Sequence, residues 1–388
     1  MRNVIFIFLL SFSALYAIEY NAELKSETRI FRESGLGSEQ KRSDSAAIMK
    51  LELYHDLENG LDRFAFTPFL RAQMNDSKRS HFDIRELYWE RVGNDWEIKF
   101  GIGQEYWGVT EFVHLVNVIN QVDSLESVDE EERLGEFMLK YTRLSEVGQF
   151  DFFILPGFRP RAFPGIKGRQ RTPFVLDSND SSYESNHEER KIETAFRYSQ
   201  TFDNIDLGLS LFHGIQRDTQ VKYNTLKNKM VPYYAVTTQF GSDIQIVIED
   251  WLLKTEIMTR RIDSNFHKAI TGGFEYSMIG IFDSGIDLGL IVEGSWQNKR
   301  DRYSFFSDEI MFGHRLAFNN ELSSDLLFGV IYDIYHHSSL LSIEASSRIN
   351  NSLKINLEGR IYQRITNNDP LKVFENEDHI NLAVTWYF

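Results

Sequence analysis

The chain has 388 residues, with 31 Phe, 17 Tyr and 6 Trp but only 7 Pro and no Cys. Hydrophobic residues make up only 42%, without the repeated runs of about 20 apolar residues that a polytopic helical membrane protein needs. The missing cysteines exclude disulfides, zinc–thiolate sites, iron–sulfur clusters and thiol nucleophiles, and a formal charge of −15 argues against general nucleic-acid binding.

Residues 1–17, MRNVIFIFLLSFSALYA, read as a secretory signal peptide. Arg2 is the positive region, Val4 to Leu10 the apolar core, and Ala14 and Ala17 are small residues near a cleavage point. Leu15 is not an ideal −3 residue for cleavage after Ala17, so the exact site is open by a few residues. No Cys follows the leader, which excludes a lipoprotein anchor.

From residue 18 onward the pattern is alternation, the mark of strands with two unlike faces. Met49, Leu51 and Leu53 flank Lys50 and Glu52. Trp96, Ile98, Phe100 and Ile102 alternate with Glu97, Lys99, Gly101 and Gly103, the glycines relieving crowding on the inner face. Later come Phe137, Leu139 and Tyr141; Ile192, Phe196 and Tyr198; Leu253, Thr255 and Ile257; and Leu353, Ile355, Leu357 and Ile361. The predicted strands are 18–34, 45–56, 62–73, 81–92, 95–106, 134–145, 148–157, 189–201 and 204–214. They continue as 230–248, 251–261, 268–280, 285–297, 308–318, 324–336, 339–349, 352–365 and 377–388. That makes eighteen; sixteen stays open, because Ile84-Arg85-Glu86-Leu87-Tyr88-Trp89 does not alternate cleanly.

Connections alternate in length. Tight turns fall at Gly93-Asn94, Asp203-Asn204, Asp283-Ser284-Gly285, Asn319-Asn320 and Asn350-Asn351, and longer polar loops near 107–133, 157–188, 215–229, 298–307 and 366–376. Aromatics gather at strand ends: Tyr54, Trp96, Tyr106, Trp107, Tyr198, Phe212, Tyr233, Trp251, Trp296, Tyr335 and Tyr362. Together these features predict one all-β domain over 18–388, a closed antiparallel transmembrane barrel with aromatic girdles, short periplasmic turns and long extracellular loops. Closure satisfies every backbone donor and acceptor in hydrocarbon.

The chain ends Ile380, Leu382, Val384, Trp386 and Phe388, alternating with Asn381, Ala383, Thr385 and Tyr387. This resembles the C-terminal signal strand of Gram-negative outer-membrane proteins, with Trp386 and Phe388 as its assembly signal. GIGQEYWGVTEFVHLVNVINQVD (101–123) and DFFILPGFRPRAFPGIKGR (151–169) are similar, more loosely, to segments of uncharacterised diffusion-porin-like families. The resemblance implies an outer-membrane location, contact with outer-membrane lipids and lipopolysaccharide, and handling by the barrel-assembly machinery. A homotrimer stays open.

Two loops carry the densest charge. Loop 107–133 holds Glu111, Asp123, Glu126, Asp129, Glu130, Glu131 and Glu132. Loop 157–188 holds Arg159, Arg161, Lys167, Arg169 and Arg171. The resemblance implies that both fold inward and oppose acids to arginines across a constriction, where a transverse field sorts solutes by sign. Solvated external loops are the alternative. Alternation also points Lys99, Lys140, Arg197, Lys254, Glu256, Arg315, Lys354, Glu358 and Arg360 into the lumen, since charge facing lipid costs roughly 2–4 kcal/mol at the midplane. Their mixed sign predicts a polar channel without strong ion preference.

No H-E-x-x-H, G-x-S-x-G, P-loop or G-x-G-x-x-G motif occurs. Ser185 and His187 lack triad context, and His336-His337 fits a strand end better than a metal site. The run 129–132 lacks the spaced ligands of a calcium loop. The expectation is a porin without enzymatic activity or cofactor, passing small polar solutes. The alternatives are a channel specific for a saccharide or hydrophobic compound, and a non-channel barrel serving as enzyme or structural protein.

Overall fold

A computed structural model describes residues 18–262, 264–298 and 308–388; the expected signal peptide and most of loop 298–307 lie outside the described residues. The first strands are β1 (Ile18–Phe31), β2 (Ser43–Asp56), β3 (Asp62–Gln73), β4 (His81–Val92), β5 (Trp96–Gly103), β6 (Glu136–Ser145) and β7 (Gly148–Leu155). Then come β8 (Ser182–Tyr183), β9 (Glu193–Phe202), β10 (Ile205–Ile215), β11 (Gln220–Asn224), β12 (Lys229–Tyr234), β13 (Val236–Ile248) and β14 (Trp251–Ile262). The last are β15 (Asn265–Met278), β16 (Asp287–Gln297), β17 (Glu309–Ala317), β18 (Asp325–Asp333), β19 (Ser339–Arg348), β20 (Leu353–Gln363) and β21 (His379–Tyr387).

All but β8, β11 and β12 form one 18-stranded antiparallel sheet. Each strand pairs with its neighbour in the chain, and β21 returns to β1, from Glu23 opposite Tyr387 to Phe31 opposite His379. The sheet is therefore a closed barrel without an edge. Ile18 and Tyr387 lie at the end with short turns, such as 146–147, 203–204 and 249–250. The opposite end carries the connections 32–42, 104–135, 156–192, 216–235 and 364–378.

The two faces are inverted relative to a soluble sheet. β21 exposes Ile380, Leu382, Val384 and Trp386 to the outside and buries Asn381, Ala383 and Thr385. Phe100, Phe152, Phe240 and Phe312 likewise point outward, while Glu193, Glu256, Glu293 and Glu309 are inaccessible inside. Such a surface suits hydrocarbon outside and a polar interior.

The irregular stretch at 81–92 has a specific cause. Thr67 pairs with Glu86 and Pro68 with Ile84, so Arg85 is an extra residue, a β-bulge on β4. Across it the inward parity switches from Asp83 and Arg85 to Glu86, Tyr88 and Glu90, and Pro68, lacking an N–H, sits at the interruption. The expected strand 230–248 is two: β12 joins β11 and β8 in a small sheet among the loops, and only β13 enters the barrel.

The expected girdle is partly corrected. Trp251 packs on Phe274 and Tyr276 outside the wall. Trp107, Phe212 and Tyr362, by contrast, are buried inside, because they pack under inward-folded loops. Gly101 also has a different role from lumen relief. Its φ is +132°, and a Cβ would meet the Leu87 carbonyl oxygen at 2.2 Å. At Gly103 a Cβ would make only ordinary contacts at 3.6 Å. Gly101→Ala is expected to destabilise the barrel by about 1–3 kcal/mol and Gly103→Ala by under about 0.5 kcal/mol, read from urea midpoints in lipid vesicles.

Candidate functional site

The connection 104–135 folds into the barrel. Its apolar residues Val116 and Ile119 are fully buried, packed with Trp107 against Met138 of β6, Phe153 and Leu155 of β7 and Phe212 of β10. A hydrophobic core thus sits inside the lumen, where the loop covers inward apolar residues of one wall.

Two strand glutamates then hold the loop backbone. Glu256 of β14 accepts the N–H groups of Val109 at 2.8 Å and Thr110 at 3.1 Å on one oxygen, with the Thr110 hydroxyl at 2.7 Å. Its other oxygen accepts the N–H groups of Leu115 at 2.7 Å and Val116 at 3.2 Å. Glu293 of β16 accepts those of Glu111 at 2.9 Å and Phe112 at 3.2 Å. Clustered backbone N–H groups make an anion cradle, and here the strand supplies the anion.

Arginines hold the loop elsewhere. Arg85 donates to Asp123 at 2.5 Å and Arg71 to Glu126 at 2.7 Å. Arg79 donates to the Leu125 carbonyl at 2.8 Å, and Arg217 to the Ile119 carbonyl at 2.7 Å. The loop is therefore tied to the adjacent β3 and β4 on one side of the barrel and to β14 and β16 on another.

This geometry corrects the expected constriction. Asp123 and Glu126 pair with strand arginines of β3 and β4, not with loop 157–188. Glu111 pairs with Arg315, and Lys254 lies 3.7 Å from it. Asp129 accepts from Arg360 at 3.2 Å. Among the described residues, only Glu130, 3.3 Å from Arg161, joins the acidic set to the basic set. Arg159 binds Asp83 at 2.7 Å and the Gly135 carbonyl at 2.9 Å. Arg169 is buried at the long-loop end, 3.1 Å from Glu377 and over the Phe31 ring. Arg171 donates to the Thr172 carbonyl at 2.7 Å, and Lys167 is exposed. Carboxylates taken from water need the nearest cation, and inward strand arginines are nearer than those of a distant loop.

The expected lumen charges do face inward. Lys99 lies 3.4 Å and Lys140 2.8 Å from Glu105, and Arg197 makes a paired contact with Asp243 at 2.8 Å. Glu358 lies 3.2 Å from Arg360, and Lys354 borders the cavity described below. The Trp386 and Phe388 rings lie 4.3 Å apart, tilted by 41°, at the short-turn end. The Ser185 hydroxyl only accepts the His187 backbone N–H, and His336 pairs with Asp333 at 2.9 Å. The anchors Arg71, Arg79, Arg217 and Glu293 were not among the candidates; inward parity on a strand was the signal for Arg71 and Glu293, and Arg79 and Arg217, in connections, had none.

Between the seated loop and β18–β20 lies a cavity of about 680 Å³. The loop side contributes Tyr106, Glu111, Phe112, His114, Asp129 and Glu131; the wall contributes Asp325, Ser342, Glu344, Lys354, Asn356, Glu358 and Arg360. His114 contacts Glu131 at 3.1 Å and the Tyr106 hydroxyl at 2.9 Å. Burial opposes its charge, but the Glu131 hydrogen bond together with the charges of Glu131 and Glu256 raises its pKa above 6.5. Burial pushes the Glu131 carboxyl up, but the same bond together with the charges of His114, Arg133 and Arg360 holds it low.

Among the described residues, His81, Asp123 and Glu126 have metal-ligand spacing, within 4.8 Å of one another. Arg85 and Arg71 already occupy one oxygen of each carboxylate. Guanidinium groups therefore supply the positive charge there, and the cluster serves to fix the loop.

No family model matches the chain, and no curated protein matches it in sequence. Solved structures align over 96% of it at low identity. OprB of Pseudomonas putida matches at 8% identity over 94% of its own chain, with TM-score 0.49. OmpT of Vibrio cholerae, an outer membrane protein in a trimer form, matches at 10% over 99%, with TM-score 0.47. A variant of the Rh. blastica porin matches at 12% over 100%, with TM-score 0.45.

Proposed function

We propose that this protein is an outer-membrane channel of a Gram-negative bacterium, exported by its leader and passing small polar solutes by diffusion. The cavity beside the seated loop carries the reading: a barrel filled for structural reasons alone has no need to leave about 680 Å³ of charge-lined space along one wall. The apolar outer face and closed sheet support the membrane placement. The loop narrows the lumen, and its many anchors favour a constriction of constant shape over a mobile plug. Reconstitution into planar bilayers tests the reading. Stepwise insertion of open channels is expected; a folded, heat-modifiable barrel that never conducts would refute it.

This reading gives a pH expectation. His114 faces Glu131, Tyr106, Arg133 and Glu256. With its pKa raised, the His114–Glu131 ion pair is complete below pH 6.5 and is lost as pH rises through the raised value. Rising pH therefore adds negative charge to the passage. Preference for cations in reversal potentials should increase from mildly acidic to alkaline pH, and His114→Gln should flatten that dependence.

A further inference from the structure

Six carboxylates line the cavity; Glu111 is met by Arg315 and Lys254 and Glu131 by His114, which leaves Asp129, Asp325, Glu344 and Glu358 against Lys354 and Arg360. Arg360 is shared among three of them, 3.2 Å from Asp129, 2.7 Å from Glu344 and 3.2 Å from Glu358. One charge cannot balance three. Glu344 stands directly opposite Glu358 in the β19–β20 ladder, an arrangement of like charges that weakens a sheet. The side chains of Glu344 and Glu131 remain 45% and 54% exposed to lumen water. Asp325 accepts from the neutral Ser346 hydroxyl and continues the acidic track toward the short-turn end.

We infer that the passage is cation-selective and takes small inorganic cations and ammonium-bearing solutes. The inference rests on the channel reading. Elsewhere in the lumen buried acids meet a base, as in Arg197–Asp243 and Arg217–Glu193, or are held by loop N–H groups, as Glu256 and Glu293 are. Along β18–β20 the surplus is acidic and wet. Fixed charge of one sign within low-dielectric walls concentrates counter-ions on the order of tenfold or more. The mixed sign of the nine strand charges thus misleads, because most of the cations among them sit where the loop closes the lumen.

Reversal potentials across a KCl gradient, measured on the refolded mature chain, test this. The expected result is a cation-over-anion permeability ratio above about five, reduced at least about twofold by Glu344→Gln and further by Glu344→Gln with Asp325→Asn. These neutral replacements keep shape, and unchanged gel mobility of the folded form will verify the barrel. Open channels with equal or anion-favouring permeability, or ratios that the variants leave unchanged, would overturn the inference while leaving the channel reading intact. Folded protein without conductance would overturn both.

Discussion

Glu256→Ala is expected to raise single-channel conductance several-fold and make it noisy, while the folded barrel keeps its gel mobility. Glu256 accepts four backbone N–H groups and one hydroxyl from residues 109–116. Hydrogen bonds to a charged group contribute about 1.5–3 kcal/mol each, and water can replace only part of them in a confined lumen. Losing even about 3 kcal/mol shifts the seated-to-released ratio of the loop by about 100-fold. Glu256→Gln is expected to fall between, since its amide keeps one accepting oxygen but turns an NH₂ toward backbone donors. Both effects belong to the loop, because the β13–β14 and β14–β15 ladders need only the backbone of residue 256. Wild-type conductance in Glu256→Ala would mean that the loop is held without this carboxylate.

Arg217→Ala should produce the largest loss of stability, about 3–5 kcal/mol. Arg217 binds Glu193 at 2.7 Å, the Ile119 carbonyl at 2.7 Å and the Ile215 carbonyl at 2.8 Å. Glu193 has no exposed surface, so removal of its partner leaves an uncompensated buried charge. Adding Glu193→Gln should recover much of the loss, because a neutral amide needs no counter-charge. Denaturant midpoints in lipid vesicles, analysed as a double-mutant cycle, will show this coupling. Additive losses would contradict it.

Fold and site were unequally legible in the sequence. Period-two segments such as Trp96–Ile102 and Ile380–Trp386 announced strands because each residue's facing follows from parity alone. Parity failed where an extra residue entered: Arg85 shifts the phase within β4, and no local composition signals a bulge. It also extended β13 backwards into β12, because strands in a loop sheet alternate like those of the wall. Lumen facing of Lys99, Lys254, Glu256 and Arg360 was readable for the same reason. The partners were not. The inward loop could be read as acidic, but its seat consists of backbone N–H groups meeting Glu256 and Glu293, and backbone donors leave no mark in a sequence. Arg159, Arg169 and Arg171 looked like a facing ladder, yet they bind Asp83, Glu377 and local carbonyls. Charge density showed which segments mattered, and register determined which groups met.

The proposed channel has its open passage between the seated loop and β18–β20, with the opposite wall closed by the loop. The chain has no cysteine, so a single introduced thiol reports its own position. Ser342 borders the cavity. Ser210 points inward on β10 but is buried where the loop packs. Current through Ser342→Cys channels should fall stepwise on adding a cationic methanethiosulfonate, while Ser210→Cys channels should conduct unchanged. Block of Ser210→Cys together with insensitivity of Ser342→Cys would contradict this placement and put the passage on the other wall.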